Sequence, residues 1–160
     1  GMGIYWLIFG ASNKQKEEAL QTKQNFRDLC MDIEKTILDH PDSITGKAFD
    51  EVNTLKHTFC DGQYIREIFM PAGQVITTKI HKKKHPFFIL TGKLSIASED
   101  GVIDIEAPYH GITYPGTKRV IYTHEDTVFI TVHATDKTTV EEVTKEVIAE
   151  DFKDPAVALT

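Results

Sequence analysis

Lys79, His81 and His85, close together in the chain, are the side chains of this sequence best suited to binding chemistry. In an extended chain residues two apart share a face, so Thr77, Lys79 and His81 point one way and Ile76, Thr78 and Ile80 the other. If the strand belongs to a closed barrel, polar residues alternating with apolar ones mark either a wet outer surface or a polar pocket. His81 and His85 offer two imidazoles, one short of an ordinary catalytic zinc or iron site. A third would have to come from His133 or His110. A structural role competes with both readings, because Lys79 reaching Glu67 or Glu106 would simply fill the barrel. Tyr109, Tyr114 and Tyr122 lie near turns, where ligand contact competes with ordinary packing. His40, His57 and His124 fall at the ends of expected elements and carry no comparable signal. No Ser-His-Asp order, phosphate-cradling glycine loop or helical histidine pair stands out.

The elements that must position these residues come in two textures. Up to residue 55 the pattern is helical. Ser12, with Gln15 three residues on, has the form of a capping box. Phe26, Leu29, Cys30, Ile33, Ile37 and Leu38 then recur at three- and four-residue spacing as one apolar stripe. The helix is expected to end at His40-Pro41, since a residue before proline avoids the helical region. A weaker helical stretch covers 45–55. From Thr58 short β-rich runs alternate with turn signals such as Asp61-Gly62, Pro71-Ala72-Gly73, Thr91-Gly92, Asp100-Gly101 and Pro115-Gly116. Strands are expected at 64–70, 74–80, 86–90, 94–97, 102–106, 118–122 and 127–133. Their near-regular spacing predicts an antiparallel sandwich or barrel. Residues 136–152 return to helix, with Thr139 and Glu142 as a second capping box, and 153–160 are expected to form a loose tail.

Residues 73–92 resemble the first motif of the cupins, which runs Gly, five residues, His, one residue, His, three or four residues, Glu, six residues, Gly. Here those positions hold Gly73, Lys79, His81, His85 and Gly92, so every spacing matches while two of the three polar identities differ. Pro115-Gly116-Thr117-Lys118-Arg119 is similar to the second motif, with Arg119 at the histidine position. The resemblance implies a mainly β fold: a single double-stranded β-helix (cupin, jelly-roll) barrel over 58–135. An N-terminal strand and helical extension would occupy 2–57, and a C-terminal helix and tail 136–160. It also implies that Lys79, His81, His85 and Arg119 face one pocket, where metal-bearing cupins offer His, His, Glu and a fourth His to a divalent ion. Over 73–136 the chain further resembles small cupins encoded by tailed bacteriophages, carried by Ile89-Leu90-Thr91-Gly92-Lys93, Glu99-Asp100-Gly101, Glu106-Ala107-Pro108 and Thr131-Val132-His133.

Lys79 and Arg119 change what such a pocket holds. Both carry positive charge, and arginine stays protonated in proteins, so they oppose a divalent cation. No cofactor is expected on this reading, and a divalent metal on His81 and His85 is the alternative. A cationic pocket of Lys79, His81, His85 and Arg119, with Tyr114 and His133 as further ligand-binding candidates, suits a carboxylate, a phosphate or sugar hydroxyls. The expected function is a non-catalytic small-ligand-binding or assembly protein. The alternative is a small-molecule enzyme, either a metal-dependent oxygenase using His81 and His85 or a sugar epimerase or isomerase. The second option lacks a clear His-Asp pair to orient a base.

Composition narrows the partners. A formal net charge of −6 opposes binding to a phosphate backbone, so no nucleic acid is expected. Lys82-Lys83-Lys84 is expected to be a solvated turn. The apolar run 4–9 is too short to cross a bilayer and lacks the basic residues of a secretion signal, so it is expected to be a strand or docked terminus. No membrane partner is expected, and the protein is expected to be soluble in a host cytoplasm or a virion. Gly1 before Met2 has the look of a purification remnant. Expected partners are a small anionic or sugar-like molecule, a second copy in a homodimer, and virion components. Cys30 and Cys60 have no CxxC spacing and are expected to be buried, reduced thiols. Apolar residues make up 41 % of the chain, enough for a proper core.

Overall fold

The computed structural model describes residues 13–159. The strand expected at 4–9 and the Ser12 cap lie outside those residues. Helix α1 (Asn13–Asp39) stops just before His40-Pro41, as the proline constraint requires. A short helix α2 (Gly46–Val52) follows, within the weaker helical stretch. Then come β1 (Leu55–Cys60), β2 (Gln63–Met70), β3 (Val75–Thr77), β4 (Ile80–His81), β5 (His85–Thr91), β6 (Lys93–Ser98), β7 (Gly101–Glu106), β8 (Tyr109–Thr113), β9 (Val120–Thr123) and β10 (Thr127–Ala134). Helix α3 (Val140–Val147), β11 (Ile148–Ala149) and a 3-10 turn (Pro155–Val157) complete the described chain.

One sheet has the order β1-β2-β10-β5-β8 and a second β3-β9-β6-β7, while β4 and β11 pair separately. Neighbouring strands are antiparallel throughout. The two larger sheets pack face to face through Ile68, Met70, Phe87, Ile89 and Phe129 from the first and Leu94, Ile96, Ile105 and Ile121 from the second. The result is the mainly β jelly-roll barrel, with one helical extension before it and one helix after it. Along β10 every second residue, from Thr127 through Phe129 and Thr131 to His133, is buried, the period-2 signature of a strand with one interior face.

Several expectations need correction. The strand expected at 74–80 is two short strands, β3 and β4, separated by Thr78 and Lys79. Thr77, Lys79 and His81 all line one cavity as expected, but Ile76 and Thr78 line it too, so the two-residue alternation does not hold across the break. Ile76 packs on the core, Thr77 donates a hydrogen bond of 3.0 Å to Glu34 of α1, and Lys79 is exposed. The break is held by the buried Lys118, whose ammonium donates to the Thr78 carbonyl at 2.9 Å and to Glu34 at 3.0 Å. Two strands were not foreseen at their observed extents: β8, and the part of β1 before Thr58. The helix expected over 136–152 covers only Val140–Val147, although Thr139 does cap it, accepting from the Glu142 amide. Beyond it, Ile148 and Ala149 pair with His81 and Ile80. The tail is not loose, because Val157 is buried and packs with Ile80 and Ala149.

The apolar stripe of α1 docks in part: Cys30 is buried and Phe26, Ile33 and Ile37 are partly buried. Leu29 and Leu38 are exposed, while Arg27 is buried. Arg27 donates to the Gly116 carbonyl and stacks over Phe152, which adds polar contacts to that docking. Of the two thiols, only Cys30 is buried and Cys60 is exposed. The basic turn is partly paired, with Lys82 beside Asp154 at 3.4 Å and Lys83 beside Glu146 at 2.6 Å.

Gly92 closes the turn between β5 and β6 with φ of 99°, and a Cβ there would stand 2.4 Å from the Asp126 carbonyl oxygen. Backbone cannot retreat as a flexible side chain can, and a positive φ strains any other L-residue. Gly92→Ala is therefore expected to lower unfolding stability by roughly 2 kcal/mol or more. Urea denaturation measures this, and an unchanged midpoint would contradict the turn assignment.

Candidate ligand-binding site

The barrel encloses a cavity of about 380 Å³. Strand pairing dictates what faces it. On β2 the inward residues are Tyr64, Arg66, Ile68 and Met70, and their partners across on β10 are His133, Thr131, Phe129 and Thr127. On the other side of β10, β5 carries His85, which pairs with Thr113 of β8. The opposite sheet contributes Ile76 and Ile121, which pair with each other. Arg119 follows just before β9, its amide donating to the Thr78 hydroxyl at 2.9 Å. His81 is set by β4, with its carbonyl accepting from the Gly116 amide at 2.8 Å.

Three imidazoles gather at one level. Ring centroids are 4.4 Å apart for His81 and His85, 4.3 Å for His85 and His133, and 6.0 Å for His81 and His133. Each has one buried ring nitrogen without a hydrogen-bond partner: Nδ1 of His81, Nε2 of His85 and Nδ1 of His133. His85 donates from Nδ1 to the Lys83 carbonyl at 3.1 Å, which leaves its Nε2 a bare acceptor facing the cavity. The other ring nitrogen of His133 meets the Thr131 hydroxyl at 2.9 Å.

Two guanidiniums lie at the next level. Arg119 donates to the Thr113 hydroxyl at 3.2 Å and sits 4.9 Å over the Phe87 ring. Phe87 pairs with Thr131, and Thr131 pairs with Arg66, so both arginines stand one step beyond the imidazoles. Among the described residues no Asp or Glu lines this cavity. Among the described residues neither arginine forms an ion pair. Glu67, offered as a partner for Lys79, has the opposite parity to Arg66 on β2, and Glu106 is exposed on β7 opposite Lys93.

Burial sets the protonation of this cluster. Desolvation, then the charges of His85, His133, Arg119 and Arg66, lower the His81 pKa to about 3. Desolvation, with His85 and Arg66, lowers that of His133 to about 4. His85 is lowered by the same burial, partly opposed by its hydrogen bond to Lys83. All three rings are therefore neutral at pH 7.

Of the six residues singled out from sequence, five line the cavity: Lys79, His81, His85, Arg119 and His133. Lys79 does so from an exposed position. Tyr114 is not among the lining residues; it is half exposed, with the Lys84 ammonium 5.2 Å over its ring. His110 lies beside Phe88 on the exposed side of β8, so the third imidazole is His133. Sequence reasoning missed Arg66, although it stands in the alternation Tyr64, Arg66, Ile68, Met70, which places it on the apolar, inward face. It also passed over His57, which lines the cavity and shares a hydrogen bond with the Tyr64 hydroxyl.

A divalent ion is the group that metal-bearing barrels of this kind would suggest. Three neutral imidazoles with unpartnered nitrogens supply donors in the right number. Yet no group of three His, Cys, Asp or Glu side chains among the described residues is arranged to hold an ion. Two guanidiniums share the space, with no carboxylate among the described residues lining it to offset them.

No family model and no curated protein matches the chain. Similar solved structures include a cupin domain from Schizosaccharomyces pombe, at 18% identity, covering 65% of this chain and 71% of that one with a TM-score of 0.46. The cupin-2 domain of an XRE-family transcriptional regulator from Enterobacter cloacae aligns at 10% identity over 54% of this chain and 99% of that one, TM-score 0.46. A cupin superfamily protein from Desulfitobacterium hafniense aligns at 14% over 58% and 84%, TM-score 0.44. Likenesses this distant bring no activity or ligand with them.

The buried imidazoles predict a pH dependence of stability. The unfolded chain takes up protons on histidine near pH ~6.5, whereas His81 and His133 resist protonation in the folded state down to about 3 and about 4. Between those limits the unfolded state binds more protons, so stability is full above pH ~6.5 and falls as pH drops. Each ring contributes at most about 1.4 kcal/mol per pH unit. Urea unfolding between pH 7 and 5, above most carboxylate titration, should show this loss, and the double variant His81→Gln, His133→Gln should flatten it. A flat wild-type profile would contradict the neutral, buried assignment.

Proposed function

We propose that this chain is a non-catalytic binding protein of the cupin kind whose barrel takes a small anionic molecule. One observation carries the reading: Arg66 and Arg119 line an interior cavity that, among the described residues, no carboxylate side chain lines, with Lys79 also on its lining. Guanidinium groups are matched to carboxylate and phosphate oxygens by their planar fork of donors, and each charge-assisted hydrogen bond is strong in a partly dry site. The unpartnered Nε2 of His85 accepts from a ligand hydroxyl, which extends the class to hydroxylated anions. The resemblance of residues 73–136 to small cupins of tailed phages supports a binding or assembly role, with a second copy of the chain and virion components as its macromolecular partners.

A small-molecule enzyme is the second reading, and the cluster of His81, His85 and His133 is the feature that favours it. The two readings separate on metal content and on charge selectivity. Calorimetry with benzoate and inorganic phosphate should give binding that benzyl alcohol and benzamide do not reproduce. Arg66→Gln and Arg119→Gln should each weaken it by about ten- to a hundredfold, the value of one charge-assisted hydrogen bond. Near-stoichiometric zinc, iron, nickel or manganese in untagged protein, lost in His81→Ala, would overturn the binding reading in favour of the enzyme.

A further inference from the structure

The same cavity changes character along the barrel axis, and the strand register fixes the order. Across β2 and β10 the rows run Tyr64 with His133, Arg66 with Thr131, Ile68 with Phe129, and Met70 with Thr127. On the facing sheet Ile76 pairs with Ile121, and the chain reaches Thr78, Arg119 and then His81 only beyond that pair. Phe49 of α2 packs against this apolar end. The arginine row is thus followed on one side by apolar side chains from both sheets. A free inorganic anion held at the arginines would leave that region without a partner.

We infer that the occupant is an amphiphile: a carboxylate held between Arg66 and Arg119, with an apolar body lying against Ile68, Ile76, Ile121 and Phe129. This rests on the anion-binding reading above and deepens it to a ligand class. The cavity of about 380 Å³ has room for roughly a dozen water-sized groups, which sets the size of the whole ligand at about that many non-hydrogen atoms. A body of medium length, aliphatic or with one aromatic ring, fits that space.

A series of straight-chain carboxylates titrated calorimetrically against the full chain tests the inference. Affinity is expected to rise about fourfold per added methylene from acetate through butyrate and hexanoate to octanoate, the increment for burying apolar surface. Ile76→Phe, which narrows the apolar end at a half-buried position, should weaken octanoate more than butyrate and so move the best chain length down by several carbons. If acetate and octanoate bind alike and Arg119→Gln weakens both, the amphiphile inference fails while the anion reading stands. If octanol binds as tightly as octanoate, or if no carboxylate binds at all, the anion reading itself fails.

Discussion

Two guanidiniums share one desolvated space inside this barrel, and among the described residues no carboxylate lines it, although the Asp50 charge acts on Arg66 from nearby. Burial pulls both below the ordinary arginine value, yet arginine stays protonated at neutral pH. The charge is tolerated through partial measures. Arg119 rests on the Phe87 face and donates to the Thr113 hydroxyl and the Ile112 carbonyl. The neighbouring imidazoles stay neutral, because a proton there would add a further cation. An incoming anion therefore meets preformed donors that form no ion pair among the described residues, an arrangement that favours electrostatic recognition.

The position of the cluster depends on a local irregularity. A regular strand from 74 to 80 would have turned Ile76 and Thr78 away from the side of Thr77, Lys79 and His81. Instead Thr78 is gripped by Arg119 on one side and by Lys118 on the other. Lys118 is tied in turn to Glu34 of α1. The interruption lets Ile76 and His81, five residues apart, both face inward. Helix α1 thus contributes to the site at a distance, by anchoring the lysine that holds the break. Strand β11 finishes the job by pairing with β4 and fixing His81 from the C-terminal side.

Much of the barrel was legible in the sequence, because glycine turns and period-2 alternation are local signals. Gly73, Gly92, Gly101 and Gly116 all adopt the positive φ that their turns demand. The spacing of Lys79, His81, His85 and Arg119 found the cavity, but the alternation that was to turn Ile76 and Thr78 away from it failed, since the strand break is held by a contact from α1, distant in sequence. Strand β8 was hidden because Tyr109 to Thr113 is polar and exposed on most positions. Arg66 was readable in principle from its place between Tyr64 and Ile68, but an arginine in a strand suggests a wet face unless its neighbours' burial is known. The stripe Phe26, Leu29, Cys30, Ile33, Ile37 and Leu38 located the docking side of α1 in part, since Cys30 is buried and Phe26, Ile33 and Ile37 are partly buried, but the polar contributions of Arg27 and Glu34 could not be read from it.

The sign of the charge that the cavity prefers is the decisive property. Crystals soaked in bromide and measured at the bromine absorption edge would locate anions directly by anomalous scattering. A bromide peak between Arg66, Arg119 and the three imidazoles is the predicted result. Bromide confined to the outer surface, with a transition-metal peak on His81, His85 and His133, would contradict it.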